Sequence, residues 1–482
     1  MTTIDSTPDT TAAELDVVLQ RAADAAEAFG AAPPTERARQ LRAVADALDA
    51  ARDEVVPLAM AETHLSRARL DGELARTTFQ LRLFSHVVAE GEYLRATVDG
   101  ADTGFALGPK PDLRCVRWPL GPVLVFAASN FPLAFSVPGG DTASALAAGC
   151  PVLVKAHPGH PQLSRRLGEI ITEALRDADA PEGAFAVVFG FETGTAALRD
   201  ERITAAAFTG SSRAGRVLFD LAQSRPTPIP FFGELGSLNP VFVTPGAVRA
   251  RGTEIAEGFV ASYTGHAGQL CTKPGLLLLP ADHGLDAALV QRSAAVGPHR
   301  MLNDRLHAGY SQRREEVTVV PGVRVLAEGD DTAPTLLATD APTLLAHPDT
   351  LCEEVFGPLS LVVTYSGKDE AFQVAEALHG NLTATLHAED DEPEFATGLL
   401  KRLRPKAGRL LFNGWPTGVA VSPAMQHGGP YPATTDSRHT SVGTAAIDRF
   451  LRPVTFQNVP QQLLPAAVRD DNPWDIPQTR HS

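Results

Sequence analysis

A cysteine lies between two glycine-marked turns near the middle of the chain, in residues 265–275 (GHAGQLCTKPG). Small neighbours let the backbone approach a ligand closely and leave space around the sulfur of Cys271. A thiolate is nucleophilic even at low abundance, so this side chain is able to attack a carbonyl carbon. A lone cysteine in a long chain is also often a small core residue, and its neighbours do not decide between these two interpretations.

A glutamate stands 37 residues upstream of this cysteine, in the apolar, glycine-flanked residues 231–240 (FFGELGSLNP). A carboxylate in such a segment is costly unless it is used or paired. Because burial disfavours the charged form, we expect the pKa of Glu234 to be raised towards neutrality, which suits a general base. Together, Cys271 and Glu234 predict a nucleophile and a base for covalent chemistry at a carbonyl group.

The two stretches resemble the signature of the aldehyde dehydrogenase superfamily, in which E-L-G-x-x-x-P precedes a G-Q-x-C cysteine by about this distance. The amino-acid sequences of these two stretches are most similar to those of the branch of 2-oxoglutarate semialdehyde (2,5-dioxovalerate) dehydrogenases and NADP-dependent fatty aldehyde dehydrogenases. The resemblance extends over residues 119–460. It implies NAD(P)-dependent oxidation of an aldehyde to a carboxylic acid. The implied substrate is 2,5-dioxopentanoate, with medium-chain aliphatic aldehydes as the alternative.

The resemblance also implies a mechanism and catalytic residues. Attack by Cys271 gives a thiohemiacetal, which loses hydride to leave a thioester that water hydrolyses. Glu234 is the expected base, either for the thiol or for the water. The Asn130 side chain and the Cys271 backbone N–H match the positions that stabilise the oxyanion in the family.

Ligand-capable residues follow three strands of the predicted cofactor domain, in residues 128–132, 155–161 and 208–216. The last stretch places glycine, serine and free N–H groups at the start of a helix, a setting that suits phosphate. The resemblance implies cofactor roles for Lys155 at the adenosine ribose, Gly210, Ser211 and Gly215 at the pyrophosphate, Glu354 at the nicotinamide ribose and Phe356 beside the ring. We expect His157 and His160 to lie near the adenosine ribose rather than to bind a metal, because no carboxylate or cysteine cluster follows them.

Cofactor preference is predicted from the loop after Lys155. Residues 156–161 contain no acid, and a carboxylate there would repel the 2′-phosphate of NADP. We therefore expect NADP to be accepted at least as well as NAD. Arg165 and Arg166 follow, but the sequence does not show whether either points at the ribose.

Two other classes of protein remain open from the residues alone. His266 is close to Cys271 in sequence, so a cofactor-independent Cys-His hydrolase is one rival, and an inactive nucleotide-binding protein is another. A hydrolase has no use for a dinucleotide domain. Lys273 stands where many family members have asparagine; a nearby cation lowers a thiol pKa, but the sequence does not show where its side chain points.

The elements that must position these residues alternate between strand and helix. Residues 12–92 are predicted to be helical, with Thr35 as an N-cap for a helix that runs to Arg52. Residues 93–119 are predicted to form a pair of strands, which in the family helps to form the dimer. From residue 119, short apolar strands alternate with helices, which indicates a doubly wound parallel sheet. The stretch before Cys352 is predicted to be poor in strands, and the tail, residues 450–482, to be extended over a partner's edge.

These patterns predict an α/β, aldehyde dehydrogenase-like fold with a Rossmann-type cofactor domain, an α/β catalytic domain and a small β oligomerisation element. The expected dinucleotide-binding domain comprises residues 1–92 and 120–235, and the catalytic domain residues 236–447. The oligomerisation element comprises residues 93–119 and 448–482, and we expect a homodimer or homotetramer.

Composition limits the remaining possibilities. The chain has 482 residues, enough for two or three domains, and its net charge of -15 argues against a nucleic-acid partner. None of the four cysteines forms a C-x-x-C pair, and so few cysteines fit a reducing compartment. The start of the chain, residues 1–11, is polar, so we expect neither a signal peptide nor a membrane span, and a cytoplasmic location.

Overall fold

The computed structural model describes residues 7–481; residues 1–6 of the polar start, for which no signal peptide is expected, lie outside this range. The helices are α1 (Ala12–Gly30), α2 (Pro34–Ala50), α3 (Arg52–Thr63), α4 (Arg67–Glu90), α5 (Gly140–Ala148), α6 (Pro161–Asp177), α7 (Phe191–Arg199), α8 (Ser212–Gln223), α9 (Pro245–Thr264), α10 (Asp286–Ala294), α11 (Asp304–Thr318), α12 (Ala341–Ala346), α13 (Pro348–Leu351), α14 (Lys368–Ala377) and α15 (Pro393–Leu403). The strands are β1 (Ala96–Asp99), β2 (Leu113–Pro119), β3 (Val123–Phe126), β4 (Val152–Lys155), β5 (Phe185–Val188), β6 (Ala205–Thr209), β7 (Phe231–Glu234), β8 (Pro240–Val243), β9 (Leu276–Pro280), β10 (Arg324–Ala327), β11 (Thr335–Asp340), β12 (Leu359–Tyr365), β13 (Asn381–His387), β14 (Ala407–Phe412), β15 (Leu451–Gln457) and β16 (Gln478–His481).

A five-stranded parallel sheet has the strand order β5-β4-β3-β6-β7. Its central strands are apolar runs that are buried along their whole length, as expected for a parallel sheet covered on both faces. The order reverses at β3, and ligands of such sheets bind beyond the carboxyl ends of the strands at that point. The predicted doubly wound sheet is confirmed.

A second sheet has seven strands in the order β10-β11-β12-β9-β8-β13-β14, all parallel except the edge strand β10. The prediction of a strand-poor stretch before Cys352 is wrong, because β10 and β11 lie there. Residues 335–339 of β11 are buried and pair with β12. This short apolar run is bounded by Pro334 and by the start of a helix, and such runs are ambiguous in sequence.

A third sheet of four strands has the order β15-β2-β1-β16. The extended tail predicted for residues 450–482 supplies β15 and β16, which pair with β2 and β1 of the same chain. The tail therefore completes a sheet within its own chain. Whether it also covers an edge of a partner stays a prediction.

The helices before the first sheet differ from the prediction in their boundaries. The first turn of α2 begins at Pro34 after Pro33, without a side-chain cap, so the N-cap prediction for Thr35 is wrong. Proline is favoured at the first position of a helix, because an N–H at that position has no partner within the helix and proline lacks one. A separate helix, α3, begins at Arg52, where one helix was predicted to end. Among residues 7–481, no helix is long and apolar enough to cross a bilayer.

An irregular segment, residues 427–441, runs along the exposed edge of β7. The Leu235 N–H donates to the Ala433 carbonyl at 2.8 Å, and the Thr435 N–H donates to the Gly233 carbonyl at 3.0 Å. These bonds form an antiparallel bridge between Glu234 and Thr434. The segment therefore covers a sheet edge and brings distant residues against the end of β7.

Candidate active site

Three side chains from different parts of the chain converge at the carboxyl end of β7. The Cys271 Sγ lies 3.5 Å from the His427 Nε2, and that nitrogen lies 3.0 Å from the Glu234 Oε1. The side chains of Glu234 and His427 are almost fully buried, while Cys271 is half-buried. The structure thus brings together the predicted nucleophile and the predicted base, and it adds an imidazole between them.

The surroundings of Glu234 differ from the sequence-based expectation. Burial raises the pKa of its carboxyl, but His427, the hydroxyl of Ser441 and the thiol more than offset this, so the pKa lies below its usual range. The Ser441 Oγ donates to the second carboxylate oxygen at 2.5 Å. The expected rise towards neutrality is therefore wrong, because the sequence did not show that residues 427–441 supply these partners.

The thiol of Cys271 has the opposite shift. Burial is the largest cause that raises its pKa, and the charges of Glu234 and Glu354 raise it further. The thiol is consequently neutral near pH 7 and needs a base to become a nucleophile.

Hydrogen bonds from two buried side chains, Asn239 and Lys273, fix the loop that carries the cysteine. The Asn239 amide donates to the Cys271 carbonyl at 2.8 Å and to the Lys273 carbonyl at 3.0 Å. The Lys273 ammonium donates to the Val355 carbonyl at 2.8 Å and to the Leu359 carbonyl at 2.7 Å. Lys273 therefore joins the cysteine loop to the segment that precedes β12. Its side chain bonds to these carbonyls rather than to the thiol.

Asn130 follows β3 and reaches the same loop. Its side-chain amide donates to the Gln269 carbonyl at 3.1 Å, and its own carbonyl accepts from Arg69 at 2.7 Å. Within residues 7–481, the backbone N–H of Cys271 donates to no other group. The two donors predicted for an oxyanion therefore lie on neighbouring stretches, and one of them is free.

The predicted ribose-binding lysine ends β4. Lys155 is buried, and its ammonium makes no hydrogen bond within the described chain; it lies 4.5 Å from the ring centroid of Phe191. Burial lowers its pKa to about 8, with Arg305 acting in the same direction and Asp9 against it. Burial and the neighbouring cations also lower the pKa of His157 well below its usual range, so its ring is neutral.

The start of α8 has the form of a phosphate cradle. Gly210 and Ser211 are exposed there, and Ser211 caps the helix through a bond from the Ala214 N–H. Gly215 packs so tightly that a Cβ would lie 2.0 Å from the Leu235 side chain. The Gly210 N–H donates to the Glu234 carbonyl at 3.0 Å, and the helix start beyond it is open. Lys155 lies at the same carboxyl edge of the sheet, two strands away, and the two features together fit a dinucleotide.

Glu354 faces this cradle from the other side. Its carboxylate lies against Gly236, where a Cβ would meet an oxygen at 2.7 Å. Burial raises its pKa, and Lys273 lowers it in part. Phe356 is half-buried two residues further on. The exposed neighbour, Glu353, instead pairs with Arg313 at 3.3 Å.

Several residues differ from what the sequence suggested. His266 has a left-handed backbone conformation in the turn before Cys271. The imidazole in contact with Cys271 belongs instead to His427. His160 bonds to the Ala128 carbonyl and to Ser164, and Arg166 pairs with Glu54. Sequence reasoning missed His427, Asn239, Asp9 and Arg305. A histidine beside Gly428 and Gly429 in an irregular stretch was the one available signal for His427.

The side chains of Glu234, Cys271 and His427 also have the donor atoms of a metal site. One donor atom each from Glu234, Cys271 and His427 lie within 4.8 Å of one another. Sulfur, nitrogen and oxygen donors at such spacing suit a zinc ion. The family resemblance implies no metal here.

A doubly wound sheet whose carboxyl edge holds an open helix start and a cysteine in contact with an imidazole and near a carboxylate is the arrangement expected of a nucleotide-dependent dehydrogenase. The model of the aldehyde dehydrogenase family matches residues 1–453, and the chain belongs to this family. It is 44% identical to alpha-ketoglutaric semialdehyde dehydrogenase 2 of Azospirillum brasilense, over 97% of this chain and 91% of that protein. It is 43% identical to alpha-ketoglutaric semialdehyde dehydrogenase of Acinetobacter baylyi, over 96% of this chain and 90% of the relative.

The fold is similar to that of aldehyde dehydrogenase C of Pseudomonas syringae, solved with NAD+ and octanal. The TM-score is 0.78 at 20% identity, and the match covers 93% of this chain and 89% of that one. The predicted family and fold class are confirmed. The chain is an aldehyde dehydrogenase, an enzyme that oxidises an aldehyde with NAD or NADP.

Proposed function

We propose that the chain oxidises 2,5-dioxopentanoate to 2-oxoglutarate, with Cys271 as nucleophile. The observation that carries the proposal is the contact of Cys271, His427 and Glu234 beside a nucleotide cradle. Relatives that are 43% and 44% identical over almost the whole chain bear the name of that semialdehyde dehydrogenase, which supports this substrate.

The first step is the activation of the thiol. Because its pKa is raised, the proton must leave as the C–S bond forms. The His427 Nε2 and the Glu234 carboxylate are the acceptors within reach. Attack then converts the aldehyde into a thiohemiacetal whose oxygen carries the negative charge.

That oxyanion meets the donors already described. The free Cys271 N–H and the Asn130 amide would stabilise it, and losing one such donor typically costs about 10²- to 10³-fold in rate. Asn239 fixes the peptide that carries the N–H, because it binds the Cys271 carbonyl. Asn239 is thus a positioning residue.

The chain would hold its cofactor with Gly210, Ser211 and Gly215 at the pyrophosphate, Lys155 and His157 at the adenosine ribose, and Glu354 and Phe356 at the nicotinamide end. When bound, the nicotinamide supplies the acceptor for the hydride that the thiohemiacetal carbon releases. A thioester on Cys271 remains.

Hydrolysis of the thioester needs an activated water. Glu234 is ionised at neutral pH because of its lowered pKa, and its Oε1 makes no hydrogen bond of good geometry within residues 7–481. This oxygen would accept a proton from the water, while the sulfur leaves and recovers the proton through His427. The acid and the free enzyme result.

The function is tested by following nicotinamide reduction with a panel of aldehydes. We expect the highest kcat/KM with 2,5-dioxopentanoate and no turnover in Cys271→Ala. A clear preference for an uncharged medium-chain aldehyde would show that the substrate is wrong. Unchanged turnover of Cys271→Ala would show that the nucleophile is wrong.

We further propose that NADP is accepted at least as well as NAD. Lys155 and Arg305 both lie against Phe191, with distances of 4.5 and 5.6 Å to the ring centroid. The loop after Lys155 lacks an acid, but the N-terminal segment brings the Asp9 carboxylate against Gly190 nearby. Two cations face one carboxylate, and this balance favours the 2′-phosphate.

Titration of both cofactors at saturating aldehyde checks this prediction. We expect Asp9→Asn to lower the KM for NADP and Arg305→Met to raise it, with a smaller effect on NAD. A KM for NADP tenfold above that for NAD, about 1.4 kcal/mol, contradicts it.

The division into domains and the assembly are also proposals. We assign residues 1–92 and 120–235 to the cofactor domain, 236–447 to the catalytic domain, and 93–119 with 448–482 to an oligomerisation element. The exposed edge strand β16 supports a homo-oligomer, because its free backbone groups suit pairing with another chain. All four cysteines are free thiols, which supports a cytoplasmic location.

A further inference from the structure

One face of helix α4 packs against the loop that carries Asn130. Arg69, Glu73 and Arg76 recur at intervals of four and three residues, so they share this face. One oxygen of Glu73 accepts the N–H groups of Leu133 and Ala134 at 2.8 and 2.9 Å. The face is therefore fixed against the loop that carries Asn130.

Two of these charged groups are already engaged. Arg69 donates to the Asn130 carbonyl at 2.7 Å, and its Nε lies 3.8 Å from the remaining oxygen of Glu73. Arg76 differs from them, because within residues 7–481 its guanidinium makes no hydrogen bond and no ion pair. Its Nη1 is nevertheless buried. A buried donor of positive charge without a partner is costly, which indicates a ligand that arrives with the substrate.

The guanidinium of Arg76 lies close enough to Cys271 and Glu234 to interact with their charges. Its central carbon lies 5.2 Å from the ring centroid of Phe135, and that ring lies 6.2 Å from the ring of His427. The charge of Arg76 acts on both Cys271 and Glu234. This charge lowers the pKa of the thiol.

We propose that Arg76 binds the distal carboxylate of the aldehyde substrate and so selects anionic aldehydes; this rests on the proposed function. In 2,5-dioxopentanoate the aldehyde carbon and the carboxylate carbon are separated by four bonds, about 5 Å when extended. The aldehyde at Cys271 thus places the carboxylate where an arginine beside Phe135 meets it. A guanidinium binds a carboxylate with two parallel hydrogen bonds.

The other cations near the thiol are less suitable. Both terminal nitrogens of Arg409 donate to backbone carbonyls, those of Gly418 and Pro416, at 3.0 and 2.7 Å. Lys273 is tied to two carbonyls on the far side of the cysteine loop. Arg76 keeps its donors for a ligand.

Steady-state kinetics of Arg76→Met tests the assignment with 2,5-dioxopentanoate and with pentanal, its uncharged five-carbon counterpart. For the anionic aldehyde we expect kcat/KM to fall about 10- to 100-fold, mainly through KM, as a charged hydrogen bond is lost. For pentanal we expect a clearly smaller fall, because only the effect of the Arg76 charge on the thiol pKa is lost there. Arg76→Lys should keep part of the preference. Arg67→Met, which removes an exposed arginine from the same helix, is the matched control and should change neither value.

Equal losses for both aldehydes would overturn the proposal, because Arg76 would then act on the thiol or on folding. Turnover of pentanal shows that the variant is folded. If the unaltered enzyme prefers pentanal, the proposed function fails. If it prefers 2,5-dioxopentanoate and Arg76→Met keeps that preference, only the role of Arg76 fails.

Alkylation of Cys271 gives a readout without turnover. Iodoacetate is anionic and iodoacetamide is neutral, and the ratio of their rates does not depend on the thiol pKa. We expect Arg76→Met to lower this ratio at least fivefold, and Arg67→Met to leave it unchanged. An unchanged ratio in Arg76→Met would show that its charge does not reach the substrate position.

Discussion

At the scale of single residues, the active site combines two opposite shifts. The pKa of Glu234 is lowered, so its charge stabilises the fold above the ordinary value of 4.5, and this stability is lost as the pH falls through the lowered folded value. The pKa of Cys271 is raised by burial and by that same charge. Burial and the carboxylate together therefore favour the protonated, less reactive form of the thiol.

Replacing Glu234 by glutamine should separate these two effects. Water activation is lost, so we expect turnover to fall at least 100-fold while a thioester accumulates, the usual scale for a general base. The carboxylate no longer repels the thiolate, so the pH midpoint of iodoacetamide alkylation should move down. Stopped-flow bursts and alkylation rates from pH 6 to about 10 measure both. A midpoint that moves up would show that the charge does not raise the thiol pKa.

The residues found from sequence were those inside compact motifs. Cys271 and Glu234 stand in segments whose glycines and prolines are visible locally, and the structure places them in one site. His427 and Ser441 follow from an irregular stretch whose position depends on tertiary contacts with β7. Asp9 and Arg305 likewise reach Lys155 from distant parts of the chain, and no local pattern marks such contacts.

At the scale of elements, one close contact determines the position of helix α8. Gly215 lets the helix approach Leu235 and Phe208 closely, which fixes where the helix start lies relative to β6 and β7. Glu234, the proposed base, ends β7, next to Thr209 at the end of β6. The proposed phosphate cradle and the base are therefore positioned by the same packing.

Gly215→Ala should disturb this packing. The new methyl group would lie 2.0 Å from the Leu235 side chain, and we expect unfolding to become easier by about 1–3 kcal/mol. The KM for the cofactor should rise as α8 shifts. Gly72→Ala is the control: position 72 of α4 is exposed and a Cβ there meets no atom within 4 Å, so stability should increase by about 0.5–1 kcal/mol. Denaturation midpoints decide, and equal effects of the two changes would contradict this account.

The order and type of elements in the cofactor sheet were predictable because buried strands and helices alternate at short intervals. Element ends were less predictable. Pro33 and Pro34 begin α2 without a capping side chain, whereas Thr35 matches the capping pattern by residue type alone. The strand β11 was missed because six residues between turns give too little periodicity.

At the scale of the whole molecule, the tail returns to a distant hairpin. Seven residue pairs join β15 to β2, while β16 adds four parallel pairs to β1 and is exposed. Two strands alone would be marginal in water. The tail therefore completes the sheet, and β16 is its exposed edge.

Removal of residues 477–482 tests the role of that edge. We expect the fold and the catalytic constant to be retained, because β16 lies in a different sheet from the cluster around Cys271. The oligomeric mass, measured by light scattering, should fall to that of a smaller species. If the truncated protein keeps the oligomeric mass of the full-length protein, the proposed assembly surface is wrong.

The contact between Cys271 and His427 spans 156 residues of chain. During synthesis at about 5–20 residues per second, Cys271 is made roughly 8 to 31 s before His427. The sheet edge at β7 stays uncovered for longer, because β7 is made before Cys271 and residues 427–441 cover it. A nascent chain thus carries the thiol and the carboxylate without the imidazole that joins them, and the cluster is completed only when the molecule is nearly finished.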